Sequence, residues 1–253
     1  MSQQPDNHEQ EEQLAEGTLM SHLLELRSRI MKATVAVVVV FLALTPFTQR
    51  VFEVVSAPLI AVLPAGSEMI ATDVAAPFLT PFKTTFYVAL FLAMPIVLFQ
   101  VWQFVAPGLY KREKRFAIPL IVSSIVLFYT GMAFAYFVVF RLMFSFFAKM
   151  VPGGVVMAPD ISSYLSFVLG IFLAFGVAFE VPIATVMLIW SGLVSIQTLK
   201  SGRRYAFLGA FVIGAVLTPP DVFSQTLLAV PMYLLYEGGL IMARVLLPEK
   251  TKQ

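Results

Sequence analysis

Apolar residues along this chain fall into long runs separated by short polar breaks, and no stretch alternates apolar with polar. Six runs stand out: Ile30–Phe47, Thr84–Val105, Phe116–Phe140, Tyr164–Trp190, Tyr205–Leu217 and Val222–Met242. The first four reach the ~18–20 residues that cross a hydrocarbon core as helix. Without period-two alternation, a strand barrel is excluded. The fifth run is short, since its residues 205–217 would reach only ~20 Å as helix. Pro219-Pro220 closes it, and Pro231 and Glu237 shorten the apolar part of the sixth. The pattern predicts an all-α, polytopic membrane helical bundle of six transmembrane helices with short fifth and sixth helices. A single re-entrant hairpin made from the last two runs is the alternative.

Composition points the same way. Hydrophobic residues make up 59% of the 253 and charged residues only 13%, against roughly 45–50% and about 25% in soluble domains. So little charge cannot cover a soluble fold of this size, and a soluble enzyme is excluded. There is no Cys, hence no disulfide, thiolate site or cysteine nucleophile. The two His residues, His8 and His22, lie outside every run, so a His-ligated metal or haem site within the membrane is excluded. A net charge of +2 gives no reason to expect a nucleic-acid partner.

Loop charge sets the expected orientation. Thirteen of the 17 basic residues flank the start of the first run, fill the loops after the second and fourth, or follow the sixth. The positive-inside rule then puts both termini in the cytoplasm. The first twenty residues are acidic, the reverse of a signal peptide's basic start, so the first run is expected to remain as an anchor. Of the outer segments, Val51–Leu63 suits a helix lying at the interface and bent at Pro58, and 141–163 reads as a turn-rich loop around Pro152-Gly153-Gly154.

In so apolar a chain, each polar group carries information. Glu25 precedes Arg29 by one helical turn and suits an i,i+4 pair. Glu113, the lone acid among Lys111, Arg112, Lys114 and Arg115, suits charge balance. Glu180 is different, because it falls ~24 Å and ~15 Å from the two ends of its run, too deep for its side chain to reach water. A carboxyl there must be neutral, hydrated or paired, and it is read as functional by default. Pro182 is expected to kink that helix. Asp221, after Pro219-Pro220, suits a helix N-cap, and Tyr136 suits an anchor at the outer interface. Ser123, Ser124 and Ser166 show no evident base, so an intramembrane serine hydrolase is disfavoured. A proton-coupled transporter is disfavoured for want of an internal repeat.

Four blocks of residues together resemble one family. His22-Leu23-Leu24-Glu25-Leu26-Arg27 is similar to the amino-terminal motif of the TatC family, the multi-span subunit of the twin-arginine translocase. Phe104 through Arg115 resembles its first cytoplasmic loop, and Phe175 through Pro182 its fourth-span motif. Leu217 through Gln225 resembles its outer turn, and the blocks stand in the family's order. The resemblance implies a twin-arginine signal-peptide receptor and core of a translocase that exports folded proteins on the proton-motive force. It needs no cofactor and performs no enzymatic step. It further implies that Glu25 and Glu113 receive the paired arginines, with Phe104 and Leu26 lining the peptide groove. Glu180 is implied as an intramembrane site for a partner span, and Arg27, Pro58, Arg115, Tyr136, Asp221 and Gln225 as supporting motif positions.

The implied partners are the single-span subunits TatA and TatB, twin-arginine signal peptides, further copies of the chain and membrane lipid, and no nucleic acid. The implied location is the bacterial cytoplasmic (inner) membrane. The chain would then divide into an acidic, mobile N-terminal tail (1–20), a six-span translocase domain (21–247) and a cytoplasmic C-terminal tail (248–253).

Overall fold

In lipid every backbone N–H and C=O must find its partner within the chain, and the apolar runs meet that demand by coiling. The computed structural model describes residues 7–60, 69–105, 114–150, 158–218 and 221–247, with side chains from residue 20 on except at 58–60, 114–117 and 148. Glu113, the turns at Pro107-Gly108 and Pro152-Gly153-Gly154, Pro219-Pro220, the C-terminal tail and the side chains of Pro58 and Arg115 lie outside the described residues. Among the described residues there is no strand. The helices are α1 (Asn7–Leu44), α2 (Thr48–Ile60), α3 (Ala76–Val105), α4 (Lys114–Phe134), α5 (Arg141–Met150), α6 (Ile161–Ala178), α7 (Val181–Trp190), α8 (Ile196–Ser201), α9 (Arg203–Leu217) and α10 (Val222–Leu246).

Five stretches among the described residues are long and apolar enough to cross a membrane: Met20–Ala57, Ala76–Val105, Ile118–Phe147, Ile161–Trp190 and Val222–Leu246. The sequence-predicted short fifth run is α9, whose 15 residues reach about 22 Å. The last helix is longer than its sequence suggests. It runs unbroken for 25 residues through Pro231, about 37 Å, because a proline forfeits one backbone bond without ending a helix held by its neighbours. Glu237 is satisfied there too, accepting from Arg203 at 2.7 Å and from the Tyr233 hydroxyl at 2.9 Å.

Two other expectations need correction. The start of the 141–163 segment is helical: after a wide π turn at Ala135–Phe140, α5 continues the path of α4. Its Met143 is fully buried, so packing overrides the loop reading. The fourth run is also two helices, α6 and α7, with a break at Phe179-Glu180. Pro182 sits in the first turn of α7, as a residue without an N–H can.

α1 lies antiparallel along α3 and α4 antiparallel along α6, while α10 packs antiparallel to α9 and in the same direction as α7. Small residues bring the backbones close. A Cβ on Gly131 would stand 2.4 Å from the Phe175 carbonyl oxygen, and one on Gly239 would stand 2.9 Å from the Pro182 Cα. The core is aromatic and aliphatic, with Phe128, Phe175, Leu165, Leu169, Ile171 and Leu228 fully enclosed. Val35, Val39, Leu42, Val126 and Val212 instead face outward, where lipid is the solvent. The starts of α1, α4 and α9 and the ends of α3 and α10 share one end of the bundle, called here the basic end.

Candidate functional site

At the basic end the start of α1 meets the end of α3. His22 stacks on Phe104, with ring centroids 4.5 Å apart and planes 26° from parallel. One helical turn on, Arg29 donates from Nη2 to Glu25 Oε1 at 3.2 Å, the pair its spacing predicts. The other guanidinium nitrogen, Nη1, donates to Gln100 Oε1 at 3.2 Å and to Gln103 Oε1. Residues some 75 positions apart thus form one polar patch beside an aromatic one. Glu25 and Leu26 are half-buried there.

Arg27 is not part of this patch. A helix turns ~100° per residue, so Arg27 projects from the far side of α1 from Glu25. It lines a groove of about 550 Å³ with Leu24, Ser28, Met31, Lys32 and Val35. Glu113 directly precedes Lys114, the first residue of α4, and lies outside the described residues.

Glu180 lies at the break between α6 and α7 and is 8% exposed. Its carboxylate accepts from the Ser124 hydroxyl on α4, and Ser124 Oγ in turn accepts from Trp102 Nε1 on α3 at 2.8 Å. Three helices are thus pinned by one chain of hydrogen bonds. The second oxygen, Oε1, is buried without a hydrogen bond among the described residues. Ser124, itself held by Trp102, thus meets part of the need that a deep carboxyl creates. Ser166 meets Lys83 Nζ at 2.6 Å and donates to the Ser162 carbonyl at 2.5 Å, so its proton is spent on the backbone.

At the opposite end Asp221 caps α10, accepting from the Ser224 amide at 2.7 Å. Gln225 ties α10 to α9 through its amide, donated to the Phe211 carbonyl at 3.0 Å. Tyr136, in the π turn, packs its half-buried ring on Phe137 and Phe172. These three do not meet Glu25 or Glu180. Pro58 contributes its backbone to α2.

Sequence reasoning missed several participants. Asp160 caps α6 through Ser163 and also accepts from the Thr72 amide at 3.0 Å and the Thr72 hydroxyl at 2.8 Å. Those donors, the Thr72 amide foremost, hold its carboxyl well below the usual carboxylate range. Gln100 and Gln103 left a faint signal, two amides three residues apart in an apolar run, which puts them on one helix face. Nothing in the sequence paired Ser124 or Trp102 with Glu180.

Comparison with known proteins bears on the whole of this arrangement. A family model described as "Sec-independent protein translocase protein (TatC)" matches residues 21–231. A protein of that name from Azotobacter chroococcum mcd 1 is 62% identical over 221 residues, covering 87% of each chain. Its namesake from Escherichia coli (strain K12) is 58% identical over 226 residues, covering 89% of this chain and 88% of the other. Among solved structures, a crystal structure described as the twin-arginine translocase receptor TatC superposes with a TM-score of 0.79 at 37% identity, covering 88% of this chain and 98% of that one. With the motif blocks, the bundle and these relatives in agreement, the chain belongs to the TatC family of Sec-independent protein translocase proteins.

Proposed function

We propose that this translocase subunit is the receptor for twin-arginine signal peptides and the core of a translocase that exports folded proteins on the proton-motive force. The observation that carries this reading is the junction of α1 and α3. It sets a half-buried carboxylate, Glu25, beside an aromatic surface, His22 on Phe104. A carboxylate matches the planar donor fork of a guanidinium, which an ammonium cannot reproduce. An adjoining apolar surface suits the hydrophobic stretch that follows the arginines. Glu113, assigned through the family motif, supplies the second carboxylate. The description of the solved relative as a twin-arginine translocase receptor supports the same role.

In this reading the basic end faces the cytoplasm of a bacterial inner membrane, both termini are cytoplasmic, and the spans number six with α9 as the fifth. TatA and TatB are the partner subunits, and several copies of the chain assemble in the receptor complex. Glu180 receives a polar group from a partner span, with its unbonded Oε1 as the acceptor. Glu180→Ala then weakens TatA association or transport more than peptide binding, and unchanged transport would count against this part.

Peptide capture by the purified chain tests the central reading. Each charge-assisted bond is worth ~1.5–3 kcal/mol, so Glu25→Gln and Glu113→Gln each cost about 10- to 100-fold in affinity for a peptide bearing two arginines. Glu113→Lys abolishes capture while membrane insertion is retained. Wild-type cross-linking of that peptide by the Glu25→Gln/Glu113→Gln double variant would refute the assignment.

A further inference from the structure

Glu25 is already engaged before any ligand arrives. Arg29 holds its Oε1, while two glutamines of α3 hold the other nitrogen of the same guanidinium. The Arg29 side chain is 23% exposed and that of Glu25 35%, so the more enclosed member of the pair is the cation. Two roles for Arg29 are possible on chemistry alone. As a competitor, it fills the seat that a ligand's guanidinium would take. As a brace, it fixes the carboxylate for that ligand.

The geometry favours the brace. An unsupported i,i+4 pair at an aqueous surface exchanges rotamers and contributes only tenths of a kcal/mol. Arg29 is not unsupported. Its Nη1 is bound to Gln100, which is 9% exposed, and to Gln103, both on a different helix. Neutral amides satisfy the guanidinium's donors without cancelling its charge, so they fix its place and leave its pull on Glu25 intact. An ionised carboxylate offers about four acceptor positions, and Arg29 uses a single oxygen. Oε2 has no hydrogen bond to any described residue and remains available as an acceptor. Ordering Glu25 in advance removes rotamer entropy that binding would otherwise cost.

We propose that Arg29, braced by Gln100 and Gln103, is a positioning residue that presents Glu25 to the incoming guanidinium and thereby sets the preference for arginine over lysine. The proposal rests on the reading of Glu25 as a signal-peptide carboxylate. A loose carboxylate serves ammonium and guanidinium alike, whereas a fixed one rewards the planar fork.

The full-length chain in lipid nanodiscs is titrated with two labelled peptides that differ only in carrying Arg-Arg or Lys-Lys. Arg29→Gln, and separately Gln100→Leu/Gln103→Leu, are expected to lower Arg-Arg affinity by about tenfold, the scale of one ordered side chain, while Lys-Lys affinity stays, so that the ratio collapses. Arg29→Gln alone separates the two roles by sign. A rise in Arg-Arg affinity would make Arg29 a competitor and overturn the proposal, as would an unchanged ratio in both variants. Gln103→Leu alone is a milder variant with the same expected direction should the double variant not fold. Glu25→Gln distinguishes the two levels. If it collapses the ratio while the Arg29 and glutamine variants do not, only the brace fails; if it too leaves the ratio intact, the receptor reading of Glu25 falls first.

Discussion

Removing the Ser124 hydroxyl should damage the bundle more than so small a change suggests. Ser124→Ala deletes one fully buried atom that serves two partners, accepting from Trp102 Nε1 at 2.8 Å and donating to the Glu180 carboxylate. Both partners remain enclosed, at 6% and 8% exposure, with nothing to replace the lost contacts. Hydrogen bonds between membrane helices average about 0.6 kcal/mol, so two set a floor near 1.2 kcal/mol. Orphaned buried groups cost about 1–3 kcal/mol each, which puts the ceiling near 6 kcal/mol. These groups are enclosed by protein and one is a carboxyl, so the expected loss is about 2–4 kcal/mol. The assay is reversible unfolding in mixed micelles, followed for every variant by the helical circular dichroism signal; Trp102 emission is read separately for Ser124→Ala in a Trp190→Phe background, which leaves a single tryptophan of the two in the chain. Trp102 emission should shift to shorter wavelength when its N–H loses its acceptor. Ser124→Ala combined with Trp102→Phe should cost less than the sum of the two by at least about 1 kcal/mol, because they share one bond. A loss under about 0.5 kcal/mol, with additive effects and unmoved emission, would refute the reasoning.

Four further outcomes follow from the geometry. Asp160→Asn should destabilise the chain across neutral pH; since the folded-state pKa is lowered well below the usual range, the difference from wild type is full above the unfolded value near ~3.9 and shrinks progressively as pH falls from there towards the folded value, so thermal unfolding should show the same difference at pH 7 and 5 and a smaller one at pH 3. Gly131→Ala forces a methyl to 2.4 Å from a backbone oxygen that cannot swing aside, and should cost about 1–3 kcal/mol or more. Gly209→Ala, with nothing within 4 Å of its Cβ, should be neutral or stabilise by up to about 1 kcal/mol in the same assay. Phe104→Ala removes the ring stacked on His22 and should weaken peptide capture about tenfold, while Phe104→Tyr should retain it.

The sequence by itself determined that this chain is a helical membrane protein, where most of its spans lie, and which family it resembles. Those conclusions follow from run length, loop charge and local motifs, all of which are properties of neighbours along the chain. It also foretold local geometry: the Glu25–Arg29 pair one turn apart, the Asp221 cap, and a disturbance near Pro182. Only the tertiary structure decided what faces what. Ser124 on Glu180, Trp102 on Ser124, the glutamines behind Arg29, and Thr72 on Asp160 each join helices or loops that lie far apart along the chain. No local pattern encodes such pairings, because the rotation and depth of each helix are set by how Gly131 and Gly239 let neighbouring backbones close together and how Gly176 leaves room for the Phe128 ring. The same packing made a helix of Arg141–Met150 and carried α10 through Pro231, since burial outweighs local propensity wherever a neighbouring helix is there to receive the side chains.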